Sequence, residues 1–206
     1  MTLKNFTIVG YSGHSYLCIE ASVSLNLEIL GYYDVVERLI NPYKLEFLGN
    51  EDQIKIDHQP FISIGNNSIR EKVYNKLLLN KICLERSILH PSAIISNTSL
   101  IEKQTFVSAG VIINPQVKIG VGCIINTGAI IEHDCSIDKF SHIAPGAVLL
   151  GNVSIGSGCM IGANAVIKQG VSIGDDVTIG AGAVVLKDIN SNTTFVGNPA
   201  IEIKRI

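Results

Sequence analysis

The stretch from residue 155 to residue 185, IGSGCMIGANAVIKQGVSIGDDVTIGAGAVV, repeats one arrangement of residue types every six positions. A large aliphatic residue opens each hexad, and a small or β-branched residue lies two positions before it. Toward the N-terminus the same phase holds back to residue 95 without a slip, which gives sixteen hexads. The aliphatic positions are Ile95, Ile101, Val107, Ile113, Ile119, Ile125, Ile131, Ile137, Ile143, Leu149, Ile155, Ile161, Ile167, Ile173, Ile179 and Val185.

A repeat of six residues predicts a coil built from flat walls of short strands. A helix repeats near 3.6 residues and a plain strand at 2, so neither produces a strict repeat of six. A coil with flat walls and tight corners does: each wall is one short strand whose aliphatic side chain points to the axis. Gly, Asn and Asp then fall near the corners, where left-handed backbone is needed. Stacked coils would bury one continuous aliphatic column.

The region before the repeat has a different pattern, in which short apolar runs alternate with helical stretches. Such alternation indicates a small parallel α/β unit, whose ligands would bind at the carboxyl ends of its strands. We therefore expect an α/β domain over residues 1–88 and a repeat domain over residues 89–206. The predicted strands are 6–10, 29–33 and 61–65, and the predicted helices are 15–27 and 68–79.

Composition excludes several classes of protein. The net charge of −2, with 17% charged residues and no Lys/Arg cluster, argues against a nucleic-acid binder. The mean hydropathy of +0.35 argues against disorder, yet no apolar run approaches the roughly 18 residues of a membrane span. The start MTLKNFTIVG lacks a signal-peptide pattern, and the five cysteines show no CxxC spacing. We expect a cytoplasmic protein with no disulfide framework, no metal site and no membrane partner.

Four segments together resemble the family of sialic-acid O-acetyltransferases and UDP-4-amino-sugar N-acetyltransferases, most closely its bacterial PglD-type members. The repeat alone is similar to the hexapeptide-repeat acyltransferases. The resemblance implies an α/β half-Rossmann domain followed by a left-handed parallel β-helix. It also implies a homotrimer that uses acetyl-CoA to acetylate a nucleotide-linked 4-amino-4,6-dideoxy sugar. The segments are 9–14 (VGYSGH), 61–70 (FISIGNNSIR), 126–142 (NTGAIIEHDCSIDKFSH) and 195–200 (FVGNPA).

Three positions depart from the pattern of this family. Tyr11 stands where alanine is frequent, and Val35 stands where a second acidic residue can follow the second strand. These two positions bear on which sugar or base is bound. Asp134 stands where glutamate is common.

The chemistry of amide formation directs attention to His133. An amine that attacks a thioester must lose a proton, and histidine titrates near neutral pH. His133 has Glu132 and Asp134 on either side, and a carboxylate bonded to the ring fixes its tautomer. We predict His133 as general base and Asp134 as its orienting partner, as the resemblance also implies. Because Asp is one methylene shorter than Glu, we expect that this contact can require a water.

His142 lies nine residues later, or one and a half hexads, so the two histidines should lie on different walls. A neighbouring chain could bring them together. The resemblance implies that His142 contacts acetyl-CoA and that backbone groups of Gly151, Ala163 and Ala181 line the cofactor site.

The resemblance places the nucleotide-sugar contacts in the α/β region. They fall near predicted strand ends and helix starts, where backbone N–H groups favour phosphate and a carboxylate can accept from base or ribose. These residues are Ser12, Gly13, His14, Asp34, Gly65 and Ser68.

Alternative functions remain open from the residues alone. Sugar O-acetylation, as on sialic acid, would use the same scaffold but demands a stronger base because a hydroxyl is a weak acid. A non-enzymatic β-helix scaffold would not need His133. The carrier could be UDP, GDP or CMP. Cys123, Cys135 and Cys159 occupy packing positions of the repeat, which favours direct attack in a ternary complex over an acyl-cysteine route.

Overall fold

A computed structural model describes residues 6–204 and shows a small α/β unit followed by a β-helix. The α/β unit has a three-stranded parallel sheet of order β2-β1-β3. Its elements are β1 (Phe6–Val9), α1 (Gly13–Ser24), β2 (Gly31–Tyr33), a 3-10 turn (Glu51–Gln53), β3 (Gln59–Ile62) and α2 (Asn67–Leu79).

The β-helix has three walls of short strands that pair in parallel with the strand 18 residues later. The β-helix is left-handed. The predicted fold, an α/β domain followed by a left-handed parallel β-helix, is confirmed. Wall 1 contains Ile88–Leu89, Phe106–Val107, Ile124–Ile125, His142–Ile143, Met160–Ile161, Thr178–Ile179 and Thr194–Val196, with Ile201–Ile203 antiparallel to the last. Wall 2 contains Ile94–Ile95, Ile112–Ile113, Ile130–Ile131, Val148–Leu149, Val166–Ile167 and Val184–Val185. Wall 3 contains Leu100–Ile101, Lys118–Ile119, Ser136–Ile137, Ser154–Ile155 and Ser172–Ile173.

All sixteen predicted aliphatic positions belong to one core, fully buried except at the first coil. Left-handed residues turn the chain at the corners, and most of them are Gly, Asn or Asp. The repeat also extends beyond the predicted range. Leu89 adds a hexad at the start, and the last coil is two residues shorter, because Ile179 pairs with Phe195.

Several predicted boundaries in the α/β unit were wrong by a few residues. Helix α1 ends at Ser24 because Asn26 adopts a left-handed φ of 55°. Strand β2 begins two residues later than predicted, at Gly31. Strand β3 begins at Gln59 and ends at Ile62; as an edge strand it tolerates Pro60.

The α/β unit packs against the outer face of wall 1. One face of its sheet shares a core with outward-facing Ile88, Phe106 and Ile124 of that wall. The other face packs on α2 and on Phe140 from a corner of the β-helix. The two parts therefore share continuous apolar contacts.

Arg70 stabilises the interface between the α/β unit and the β-helix. Arg70 is 2% exposed as a residue, and all five N–H groups of its guanidinium donate to neutral acceptors. The acceptors on the α/β side are the carbonyls of Ile64 and Gly65 and the side chain of Asn67; those on the β-helix are the carbonyls of Gly122 and Phe140. Burial lowers the pKa of Arg70 to about 10, so the group remains a cation at neutral pH.

Two histidines meet at the same interface. The ring of His14, from α1, lies 6.3 Å from the ring of His142 on wall 1. Burial is the main cause that lowers the pKa of His14 to about 3 and that of His142 to about 4, with the Arg70 cation lowering both further. Both imidazoles are therefore neutral in the folded chain at neutral pH.

Replacing Arg70 with methionine should lower the free energy of unfolding by about 3–5 kcal/mol, because five buried acceptors lose their donors. Urea unfolding at fixed protein concentration measures this loss. Lys72→Met, on an exposed position of the same helix, should change stability little. An Arg70→Met variant as stable as the wild type would show that the guanidinium does not hold the interface.

Stability should also fall in acid because of the two neutral histidines. Below about pH 6.5 the unfolded chain binds protons that the folded chain cannot, so the free energy of unfolding falls with pH, by about 2 kcal/mol per histidine at pH 5. Urea unfolding from pH 7.5 to 5 checks this, and the double variant His14→Gln, His142→Gln should show a flatter profile. His90→Gln, outside this interface, should retain the wild-type profile; an unchanged slope in the double variant would contradict the assignment.

Candidate active site

His133 and Asp134 occupy the corner between walls 2 and 3. Asp134 adopts a left-handed φ of 61°, as do the equivalent Gln116 and Asn152 in adjacent coils. This corner geometry turns the carboxylate back on the ring, and His133 Nδ1 lies 2.8 Å from Asp134 Oδ2. The shorter aspartate therefore reaches the ring directly, without the water that its length suggested. Both side chains are more than half exposed, so Nε2 of the ring is open to a ligand.

Gly151 lies one coil above His133, and the imidazole covers it. A Cβ added at Gly151 would come within 2.7 Å of His133 Nε2 and Cε1. Glycine is therefore needed for the close approach of the ring. The structure brings this predicted cofactor residue beside the predicted base.

Ala163 and Ala181 lie on the other edge of wall 2, in its corner with wall 1. Within residues 6–204 the backbone N–H groups of Gly151, Ala163 and Ala181 meet no acceptor. Free N–H groups of this kind can bind the amide oxygens of an extended ligand. Of the three residues predicted to bind the cofactor through their backbones, Gly151 therefore lies at one edge of wall 2, and Ala163 and Ala181 lie at the other edge.

His142 opens a wall-1 strand and lies on a different wall from His133, as its spacing predicted. The side chain of Asn126 is oriented by the Thr127 N–H, which donates to Asn126 Oδ1 over 2.8 Å. Asn126 Nδ2 then donates to His142 Nε2 over 3.1 Å, which leaves the ring proton on Nδ1. Within the described chain this buried Nδ1 has no hydrogen-bond partner.

Four of the six predicted substrate residues line two clefts, one at the start of each helix of the α/β unit. Ser12 and Gly13 are exposed at the start of α1, in a cleft of about 470 Å³. Gly65 and Ser68 lie at the start of α2, in a cleft of about 290 Å³ that faces Met160 of wall 1. The Ser68 hydroxyl donates to Asn66 Oδ1, the group that caps α2.

His14 and Asp34 occupy the remaining predicted positions. His14 touches Gly65, where an added Cβ would lie 3.4 Å from the His14 Cβ. Asp34 follows β2 but is only 7% exposed and forms an ion pair with Arg38, at 2.8 Å from Nε to Oδ2.

Other titratable groups near the site do not supply a nucleophile. Burial raises the pKa of the Cys123 thiol to about 12 and that of Cys159 to about 11. Both thiols donate to backbone carbonyls and remain protonated. Among residues 6–204 no three His, Cys, Asp or Glu side chains are grouped as a metal site. No helix in that range is both long and apolar enough to cross a bilayer.

Sequence reasoning missed Arg38, Arg70 and Asn126 as individual functional residues. Arg70 had a detectable signal, because it shares the buried face of α2 with Tyr74 and Leu77 at helical spacing. Arg38 stands four residues after Asp34, a spacing typical of ion pairs in helices, although this segment is a loop. Asn126 carried no signal beyond its place in a family segment.

Comparisons with known proteins agree with this architecture. Residues 5–77 match the family model described as the PglD N-terminal domain, and residues 152–187 match the hexapeptide repeat of succinyl-transferase. The acetyltransferase domain of PglB from Neisseria gonorrhoeae FA1090 is similar, with 29% identity, a TM-score of 0.89, and coverage of 97% of this chain and 100% of that one. That domain has also been solved in complex with acetyl coenzyme A.

Two further solved structures share the fold. PerB from Caulobacter crescentus, in complex with CoA and GDP-perosamine, is 29% identical, with a TM-score of 0.89 and 98% coverage of both chains. WeeI from Acinetobacter baumannii AYE is 24% identical, with a TM-score of 0.83 over 97% of this chain and 99% of that chain, which supports the fold alone.

The resemblance seen in the sequence is thereby confirmed. An α/β unit that matches the PglD N-terminal domain precedes a hexapeptide-repeat β-helix in a single chain. The two family models and the solved neighbours together match this chain to the PglD-like sugar acetyltransferases of the hexapeptide-repeat superfamily.

Proposed function

We propose that this protein is an acetyl-CoA-dependent N-acetyltransferase that acts on the 4-amino group of a nucleotide-linked 4-amino-4,6-dideoxy sugar. The observation that carries the proposal is the direct 2.8 Å contact between His133 and Asp134 at an open corner of the β-helix. Support comes from the two relatives solved with acetyl coenzyme A and with CoA and GDP-perosamine. In this proposal residues 1–88 bind the nucleotide sugar and residues 89–206 carry the acyl transfer.

The reaction is a direct attack of the amine on the thioester. The amine nitrogen forms a bond to the acetyl carbonyl carbon and loses a proton to His133 Nε2 as the C–S bond breaks. Asp134 accepts the Nδ1–H of the ring, which leaves the Nε2 lone pair free and stabilises the imidazolium that forms. CoA leaves as a thiolate and regains a proton from the imidazolium.

His142 supplies a donor in this scheme. Its Nδ1–H is buried without a partner in the described chain, and its low pKa keeps the ring neutral. If the side chains around Nδ1 move to admit the thioester, this group would donate to the acetyl carbonyl oxygen and stabilise the negative charge that develops there. This role fits the predicted contact with acetyl-CoA.

Two copies of the chain would complete the site. The outward positions of wall 2 are all aliphatic, and among the described residues one is exposed and five are half-exposed (Ile94, then Ile112, Ile130, Val148, Val166 and Val184). Exposed apolar faces of this kind are typical of subunit interfaces. We propose a homotrimer in which His133 of one copy works with His142 of the next, with CoA held along the edges of wall 2.

O-acetylation of a sugar remains the second candidate, because the same corner could deprotonate a hydroxyl. A perosamine N-acetyltransferase from Caulobacter crescentus, which is 28% identical to this chain, favours the amine. A role in glycan biosynthesis and a cytoplasmic location follow from the proposed substrate and fit the free thiols of this chain.

Replacing His133 with asparagine should lower kcat by about 10²–10⁴-fold because the reaction loses its general base. Acetyl transfer from acetyl-CoA to UDP- and GDP-linked 4-amino sugars measures this. Asp134→Asn should lower kcat less, since asparagine tolerates the left-handed corner but cannot stabilise the imidazolium. Undiminished turnover in His133→Asn would refute His133 as the general base, whereas a wild type with no acetyl transfer would leave a non-catalytic scaffold as the better explanation.

Replacing Gly151 with alanine should lower kcat by at least about tenfold with little change in stability, because the new Cβ displaces the His133 ring. Gly170→Ala is the matched control. Its Cβ would meet nothing within 4 Å, but its φ of 75° makes alanine strained. The control should therefore lower the melting temperature while kcat is retained. Equal kcat in Gly151→Ala and wild type would contradict the placement of the ring.

A further inference from the structure

The Asp34 carboxylate has no free acceptor site. Its Oδ2 accepts from the backbone N–H of Tyr11 at 2.9 Å and from Arg38 Nε at 2.8 Å. Its Oδ1 accepts from the backbone N–H of Val35 at 2.7 Å and from Arg38 Nη2 at 2.9 Å. A carboxylate offers about four lone-pair sites, and all of them are taken. A ligand donor could bind Asp34 only by expelling Arg38.

Arg38, unlike Asp34, can still bind a ligand in this cleft. Two of its five N–H groups bind Asp34, and the other three form no hydrogen bond within residues 6–204. Its side chain is 43% exposed and lines the cleft at the start of α1. This cleft therefore presents a planar pair of donors where the sequence suggested an acceptor.

The wall of the same cleft is apolar. Val36, Leu39 and Ile40 follow Asp34 in one loop, line the cleft, and are 57%, 103% and 75% exposed. Tyr11 and Tyr16 line the opposite side. Exposed aliphatic side chains beside a fixed guanidinium suit a flat ring with acceptors on one edge.

The nucleobases differ in whether one edge presents two adjacent hydrogen-bond acceptors. Guanine presents adjacent O6 and N7 acceptors, which arginine binds in bidentate fashion, whereas adenine pairs its N7 with a donor. Uracil separates its two carbonyls with an N–H donor. Cytosine has adjacent O2 and N3 acceptors but a smaller ring, which would bury less of the apolar loop.

We propose that Arg38 reads the nucleobase and that the nucleotide carrier of the acceptor sugar is guanosine diphosphate. This inference rests on the proposed function and narrows its substrate. Asp34 acts as a positioning residue, because it holds the guanidinium plane toward the cleft.

The test is calorimetric titration of the full-length protein with GDP, UDP and CDP. The wild type should bind GDP at least about tenfold more tightly than UDP or CDP, as a bidentate base contact implies. Arg38→Gln should lose that preference by weakening GDP alone. Arg38→Lys retains a cation beside the buried Asp34 but lacks the planar fork, so it should lose the preference as well and guards against misfolding of the first variant.

Lys44→Gln, an exposed position further along the chain, serves as the control and should retain the preference. Equal weakening of GDP and UDP in Arg38→Gln would mean that Arg38 binds the diphosphate, which overturns the proposal. Tighter wild-type binding of UDP or CDP would also overturn it and leave the acetyltransferase function standing. If no nucleoside diphosphate binds the wild type, the proposed function fails together with this inference.

Discussion

The guanidinium of Arg70 joins the α/β unit to the β-helix through hydrogen bonds to both. A buried cation with no carboxylate beside it is stable only when every N–H group finds an acceptor, and here five neutral acceptors from two domains meet that demand. Those acceptors include Gly65, which touches His14, and Phe140, which is held in a left-handed corner with a φ of 56°. The position of the start of α2 over wall 1 follows from this set of hydrogen bonds. The same cation contributes to the neutrality of His14 and His142.

The β-helix contributes rigidity and register. Because the coil repeats every 18 residues, Gly151 lies directly over His133, and the corner that bends the chain at Asp134 also directs its carboxylate to the ring. Each of these contacts arises from backbone geometry repeated along the whole column. A side chain placed on such a framework is held with little freedom, which suits the proton transfer that we propose for His133. The α/β unit, in contrast, offers a loop and two helix starts, which suit recognition of a nucleotide.

The sequence predicted the β-helix well, because the inward positions depend only on local pattern and every coil uses the same one. It also predicted the His133–Asp134 pair, whose members are adjacent in the chain. It failed where a residue acts through distant partners. The fully paired state of Asp34 depends on Arg38 and on the backbone of Tyr11, 23 residues away, and Arg70 reaches carbonyls 52 and 70 residues away. The shortened last coil escaped notice because Ile189 and Phe195 remain aliphatic or aromatic while their spacing changes.

The central claim is that His133 of one copy and His142 of another form one acetyl-transfer site. Mixing two inactive variants, His133→Ala and His142→Ala, under conditions that exchange subunits tests it most directly. In mixed trimers about a quarter of the interfaces should join an intact His133 to an intact His142, so acetyl transfer should return to about a quarter of the wild-type rate. Mixed trimers verified by mass spectrometry that show no more activity than either parent would contradict the account.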